Sequence, residues 1–145
     1  MRLVIQRVSA ASVRVDGAVV GAIGRGLLVL AGVERGDGPA AAKAAAEKLA
    51  GLRLFEDAAG KMNLDTAAVG GAFLVVSQFT LAGSVERGRR PSFIRAAPPE
   101  EAAPLIEALV DDLRRRDFRV ETGRFRAQME VSLVNDGPVT LVVDF

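Results

Sequence analysis

The chain has 145 residues, half of them apolar and 26% charged, with a net charge of +1; that suits one ordinary domain with its own core, and excludes disorder. So small a net charge does not by itself announce nucleic-acid binding. There is no cysteine and no histidine, which excludes Ser-His-Asp and Cys-His catalysis, thiol redox chemistry, zinc fingers and any histidine-bound metal. No metal and no cofactor is expected.

In chain order, Leu3 to Val8 and Val13 to Val15 alternate apolar and polar residues, and Asp16-Gly17 signals a hairpin into Ala18–Ile23. Gly26 to Val33 is a continuous apolar run, the pattern of a strand buried on both faces. Gly36-Asp37-Gly38-Pro39 breaks the chain, and Pro39 suits the first position of a helix running through Leu52. Leu52–Phe55 reads as a strand, Asp57–Gly60 as a turn, and Asn63–Gly71 as irregular. Phe73–Phe79 is the most apolar central strand.

A long loop, Ala82 to Pro98, carries glycine and proline breaks, and loops of that length inside a domain are usually functional. A second helix is predicted from Pro99 to Arg116, with the stripe Leu105, Ile106, Leu109, Val110 and Leu113 on one face. Pro104 should disturb its second turn, so that the regular helix starts there. Phe118–Glu121, Met129–Val134 and Val139–Asp144 complete the strands. This order predicts a single α/β domain over residues 1–145, with a mixed sheet rather than a doubly wound one. No apolar run reaches the ~18 residues of a membrane span, and the first residues lead directly into strand alternation without a secretory core. A cytoplasmic protein with no membrane partner is expected.

Two segments carry the chemistry. Ser77-Gln78-Phe79-Thr80-Leu81 ends the central strand with polar side chains, where strand geometry is fixed and the next loop can admit a ligand. Asn135-Asp136-Gly137-Pro138-Val139-Thr140 lies between two strand-like runs. Proline has no backbone N–H to give a sheet, so the chain must turn or project outward there. Read singly, the first fits plain strand alternation and the second a hairpin turn.

Together the two segments resemble the D-aminoacyl-tRNA deacylase family, whose motifs read Ser-Gln-Phe-Thr and Asn-x-Gly-Pro-Val-Thr. Ile5-Gln6-Arg7-Val8, Gly26-Leu27-Leu28-Val29-Leu30, Gly60-Lys61-Met62-Asn63 and the stretch from Glu86 to Phe93 are similar to family segments in family order. The resemblance implies a twisted, barrel-like, mostly antiparallel sheet with two outer helices, and a homodimer with composite sites. It implies an esterase-type hydrolase acting on D-aminoacyl-tRNA, a chiral proofreading step in translation, with mischarged glycyl-tRNA also accepted. Ser77, Gln78, Phe79 and Thr80 are then the catalytic segment. Gly137 and Pro138, joined by a cis peptide and flanked by Asn135, Val139 and Thr140, reach into the neighbouring subunit and reject L-substrates.

With no histidine present, an unassisted Thr80 hydroxyl is a weak nucleophile. Backbone N–H groups at Phe79 and Thr80, with help from the substrate's ribose 2′-hydroxyl, are the favoured machinery. Thr80 as covalent nucleophile remains the alternative. Arg87, Arg89 and Arg90 in the long loop suit tRNA phosphates, with Arg95 nearby. A second cluster comprises Arg114, Arg115, Arg116, Arg119, Arg124 and Arg126. A solvated surface is the competing reading for both. A non-catalytic RNA-binding module and a purely structural dimerisation domain stay open as other classes.

Overall fold

In the computed structural model, which describes residues 1–145, the first strand is the one on which the sheet assembles. β1 (Arg2–Val15) pairs antiparallel with β3 (Gly26–Gly32) through Arg2–Val8 and with β2 (Ala18–Ile23) through Ala11–Val15. Those two strands share one edge of β1. The other edge carries the last strand of the chain, β8 (Glu130–Asp144), along almost its whole length. Beyond β3 the sheet continues in parallel through β6 (Ala72–Ser77) to β7 (Val120–Thr122).

The sheet curls until its ends nearly meet. Gly21 of β2 lies against the Thr122 carbonyl of β7, where a Cβ would come within 2.5 Å of the oxygen. The expected mixed, barrel-like sheet with two outer helices is the observed architecture. A small separate ribbon pairs β4 (Phe55–Glu56) with β5 (Met62–Leu64).

Strand alternation divides the apolar side chains between two cores. Leu27 and Val29 of β3 and Phe73 and Val75 of β6 point to the larger core, beneath the helices. Leu28, Leu74 and Val76 point the other way, into the barrel with Val8 and Val13 of β1. Both strands are thus buried on both faces, as their uninterrupted apolar sequences require. The larger core is roofed by α1 (Pro39–Gly51) and α2 (Pro99–Arg115). The buried face of α1 is mostly alanine, Ala42, Ala45 and Ala46 with Leu49; such small side chains let α2 lie close, with Leu105, Leu109 and Leu113 facing inward. Both helices begin with proline, which lacks only an N–H that the first turn leaves free anyway. No helix is long and apolar enough to cross a membrane.

Several boundaries differ from those read in the sequence. The two expected strands at the chain's start are one strand, and so are the two at its end. In β8 the register against β1 jumps from Gln6–Thr140 to Val8–Asn135, so the residues between Asn135 and Thr140 bulge out of the ladder. The strand expected at Leu52–Phe55 begins only at Phe55, and the stretch expected to be irregular opens with part of β5. β7 is shifted from Phe118–Glu121 to Val120–Thr122. The Phe73–Phe79 strand ends at Ser77. Helix α2 runs straight through Pro104, which costs a single hydrogen bond close to the amino end, where tertiary packing holds the turn.

Gly26 is a close-approach position: a Cβ there would sit 1.9 Å from the Ala72 carbonyl oxygen, whereas one on Gly24 would meet nothing within 4 Å. Gly26→Ala is therefore expected to lower stability by about 1–3 kcal/mol as an overpacked site. Gly24→Ala should stay within about 0.5 kcal/mol of the parent. Urea denaturation midpoints of the two variants check this.

Candidate active site at the end of β6

At its carboxyl end β6 leaves the sheet. The Gln78 N–H still donates to the Ala31 carbonyl of β3 at 2.8 Å, and then Phe79–Ala82 coil into a 3₁₀ turn. Gly32 makes this possible, since a Cβ there would come within 2.9 Å of both the Gln78 carbonyl oxygen and the Leu81 Cβ. The first N–H groups of any helical turn lack partners within it. Here the backbone N–H groups of Phe79 and Thr80 donate to no other backbone or side-chain group. Two free donors thus stand side by side where the strand ends.

They stand beside a cavity of about 680 Å³, whose walls include Ser77, Gln78 and Phe79, a volume suited to a small ligand. Phe79 is 57% exposed and meets Phe93, another wall residue, edge to face with ring centroids 5.1 Å apart. Gly83 makes room for Phe93, whose ring would lie 2.9 Å from a Cβ at that position. The Gln78 side-chain amide donates to the Thr80 hydroxyl. That amide is the only hydrogen-bond partner of the hydroxyl, and it cannot accept a proton.

The opposite wall comes from the segment before β8, with Phe125, Arg126, Gln128 and Met129. Sequence reading missed these as site residues. Arg126 holds a positive φ of 62°, and Gly123 leaves space for the Met129 sulfur, 2.6 Å from where a Cβ would be. The one available signal was a single aromatic between two arginines in a short polar stretch. Its relation to the cavity depends on how β7 and β8 fold back.

The second motif lies elsewhere. None of Asn135, Gly137, Pro138, Val139 or Thr140 lines this cavity. Gly137–Pro138 is a cis peptide, as the sequence motif implied, and both residues are exposed at the crest of the β8 bulge. The bulge is pinned from beneath by Arg7, only 6% exposed. Its guanidinium donates to the Leu54 carbonyl at 2.6 Å and to the Asp136 carbonyl at 3.2 Å, and pairs with the Asp136 carboxylate. Asn135 Nδ2 donates to the backbone carbonyls of Arg7 and Val139, while the Thr140 hydroxyl donates to Asn135 Oδ1 and accepts from Gln6 Nε2. Val139 is buried in the larger core. Asn135, Val139 and Thr140 therefore hold the bulge, and Gly137 and Pro138 are what it presents.

The arginine clusters also separate. In the second, Arg114, Arg115, Arg116 and Arg119 pair with Asp111, Asp112, Glu47 or Glu121. Arg115, with help from Arg116, holds the Asp112 carboxyl below its ordinary range by hydrogen bonding. Arg87, Arg89 and Arg90 are exposed and meet no carboxylate. They sit on a hairpin-like loop closed by mutual backbone bonds of Ser84 and Ser92, at 2.9 and 2.8 Å, and do not line the cavity. With no histidine or cysteine, carboxylates are the charged metal ligands this chain offers, and no three of them converge.

The family profile described as D-Tyr-tRNA(Tyr) deacylase matches residues 4–144. The chain belongs to that family. The D-aminoacyl-tRNA deacylase of Anaeromyxobacter dehalogenans is 65% identical over 144 residues, covering 99% of this chain and 97% of its own. That of Geobacter sulfurreducens is 59% identical over 144 residues, covering 99% and 95%. Among solved structures, a protein described as a c-Myc DNA unwinding element binding protein superposes with a TM-score of 0.92 at 38% identity, covering 100% of this chain and 99% of that one. A probable eukaryotic D-amino acid tRNA deacylase shares the fold, with a TM-score of 0.87 at 19% identity over 99% and 98% of the two chains.

If Arg7 holds the family's Gly-Pro bulge in place, Arg7→Met should lower stability by about 1–3 kcal/mol, the usual cost of leaving buried acceptors unpaired. Amide exchange at residues 135–140 should speed up at the same time. Asp136→Asn, whose side chain is half exposed, should do much less. Urea denaturation and hydrogen exchange read both variants.

Proposed function

We propose that this chain hydrolyses the ester joining a D-amino acid to the 3′-terminal adenosine of tRNA, releasing free tRNA and the D-amino acid. The observation that carries the reading is the pair of free N–H groups at Phe79 and Thr80, beside a cavity of about 680 Å³ that Phe79 lines and Thr80 does not, in a chain of this family. Aminoacyl esters are already activated, so positioning and charge stabilisation suffice. As water attacks the ester carbonyl, its oxygen gains negative charge, and the two N–H groups stabilise it without titrating. The water gives up a proton and the departing 3′-oxygen takes one up. The ribose 2′-hydroxyl, beside the reacting atoms, is suited to relay it. Ser77 and Gln78 orient the ester and the ribose. Thr80 as nucleophile finds no support, because its hydroxyl has an amide neighbour and no base.

Discrimination between D- and L-forms requires a rigid wall on one side of the α-carbon. In this reading Gly137–Pro138 provides it in trans. The pair is exposed, rigidly mounted on Arg7, and absent from its own chain's cavity, all of which favours a homodimer with composite sites. The unpaired outer edge of β8, with Val134 59% and Val142 64% exposed, offers apolar surface for such pairing. An L side chain would meet the Gly-Pro wall, while a D side chain points away and glycine has none. Achiral glycyl-tRNA therefore enters, and the D side chain is largely unread. We place the enzyme in the cytoplasm, where charged tRNA is used.

A nucleic-acid-binding module without turnover is the second reading. The name of the 38% identical structure and the unpaired loop arginines favour it, but it leaves the free N–H pair and the cavity without a use. Turnover of a D-aminoacyl-tRNA, with its L-counterpart left intact, decides between them.

Thr80→Ala keeps the backbone N–H and is expected to retain most of kcat/KM. A substrate lacking the terminal 2′-hydroxyl should react about 10²–10³ more slowly, the usual worth of one such transition-state contact. A dead Thr80→Ala variant, with a trapped aminoacyl adduct in the parent, would instead establish the nucleophile.

Replacing Arg87, Arg89 and Arg90 together by alanine should weaken tRNA binding and flatten its dependence on salt, with a loss of slope of about 1 for each phosphate contact removed. Filter binding across a salt series measures this. Unchanged binding and slope would return these arginines to the solvated surface.

A further inference from the structure

A second cavity, of about 480 Å³, lies between α2 and the β7 end of the sheet. It adjoins the first, and the two share Ser77, Ile106 and Phe125 as walls. Phe125 is the aromatic one of the three. The residues on either side of it point the chemistry: Arg126 lines the first cavity and Arg124 the second. Neither guanidinium pairs with a carboxylate, although the cluster's remaining members, Arg114, Arg115, Arg116 and Arg119, all do. The second cavity also holds a carboxylate without a cationic partner, Glu107 on α2, while its other acid, Asp111, is bridged to Arg114 at 3.7 Å.

We propose that the second cavity receives the nucleotide preceding the one that bears the ester, with Arg124 meeting the phosphate that links the two nucleotides and Glu107 the amino edge of the preceding base. This deepens the deacylase reading above and rests on it. The continuity of the two cavities suits a single-stranded 3′ end, whose consecutive nucleotides lie one step apart along the chain. An unpaired guanidinium suits a phosphate, and a free carboxylate accepts from an exocyclic amino group such as the N4 of cytosine. The nucleotide before the terminal adenosine is a cytidine in every tRNA, which has both features. An aromatic side chain in the shared wall also offers a base something to stack on.

The test uses two synthetic D-aminoacyl esters, one on adenosine alone and one on cytidylyl-adenosine, and compares their kcat/KM as a ratio. The parent enzyme is expected to favour the dinucleotide ester by about tenfold or more, as one charge-assisted contact to a phosphate contributes ~1.5–3 kcal/mol. Arg124→Ala should bring the ratio close to one. Glu107→Gln should cut the parent's preference for cytidylyl- over uridylyl-adenosine. Arg124 and Glu107 are both exposed, so each variant should fold; circular dichroism checks it. A parent ratio near one, or a ratio that Arg124→Ala leaves unchanged, overturns the proposal while the deacylase reading stands. Failure of the parent to hydrolyse any D-aminoacyl ester or D-aminoacyl-tRNA would overturn that reading itself.

Discussion

The rest of the structure depends on the antiparallel ladder between β1 and β8. It ties the first strand to the last, and every residue in it is asked for an N–H or a C=O at a set position. Pro138 cannot meet that demand. The ladder therefore resumes on both sides, with a second irregularity between Val8 and Ala10, and pushes the intervening residues outward, with Asn135 bonding across the base and Arg7 filling the space beneath. A long strand with one outward bulge results where a turn would otherwise have formed. Gly137 and Pro138 are thereby presented to solvent, away from their own chain's first cavity.

The same logic governs the carboxyl end of β6. Parallel strands β3 and β6 are buried on both faces, so their backbones are held without play. When β6 runs out of partners beyond Gln78, the 3₁₀ turn that follows begins with N–H groups that nothing satisfies. A chain lacking histidine and cysteine has few ways to stabilise developing charge. A rigid strand end with two free donors is one that needs no titratable group. Gly32 and Gly83 matter for this reason: each leaves the room in which the turn and the Phe93 wall settle.

Charge is arranged by the same principle of what is left unpaired. The net charge is only +1, yet the acids are spent on particular arginines. Asp111 and Asp112 neutralise one end of α2, while Arg124 and Arg126 keep free guanidiniums in the walls of the two cavities and Arg87, Arg89 and Arg90 stay unpaired on their exposed loop. For a polyanionic substrate that distribution counts for more than the total.

By itself the sequence determined the buried central strands, both helices and the two motifs, because each is written in local terms: unbroken apolar runs, a proline at a helix start, polar residues at a strand end. It also determined that the chemistry must do without histidine and cysteine. Tertiary structure alone decided that the last two apolar runs form one strand, since only pairing with β1 shows that the ladder resumes beyond Pro138. Packing likewise carried α2 through Pro104, where the core's hold on Leu105 and Leu109 outweighs one missing hydrogen bond. The Phe125–Met129 wall and the second cavity were beyond sequence reading for the same reason. They are made by segments distant in the chain, and no periodicity or spacing records which side chains a curled sheet will bring face to face.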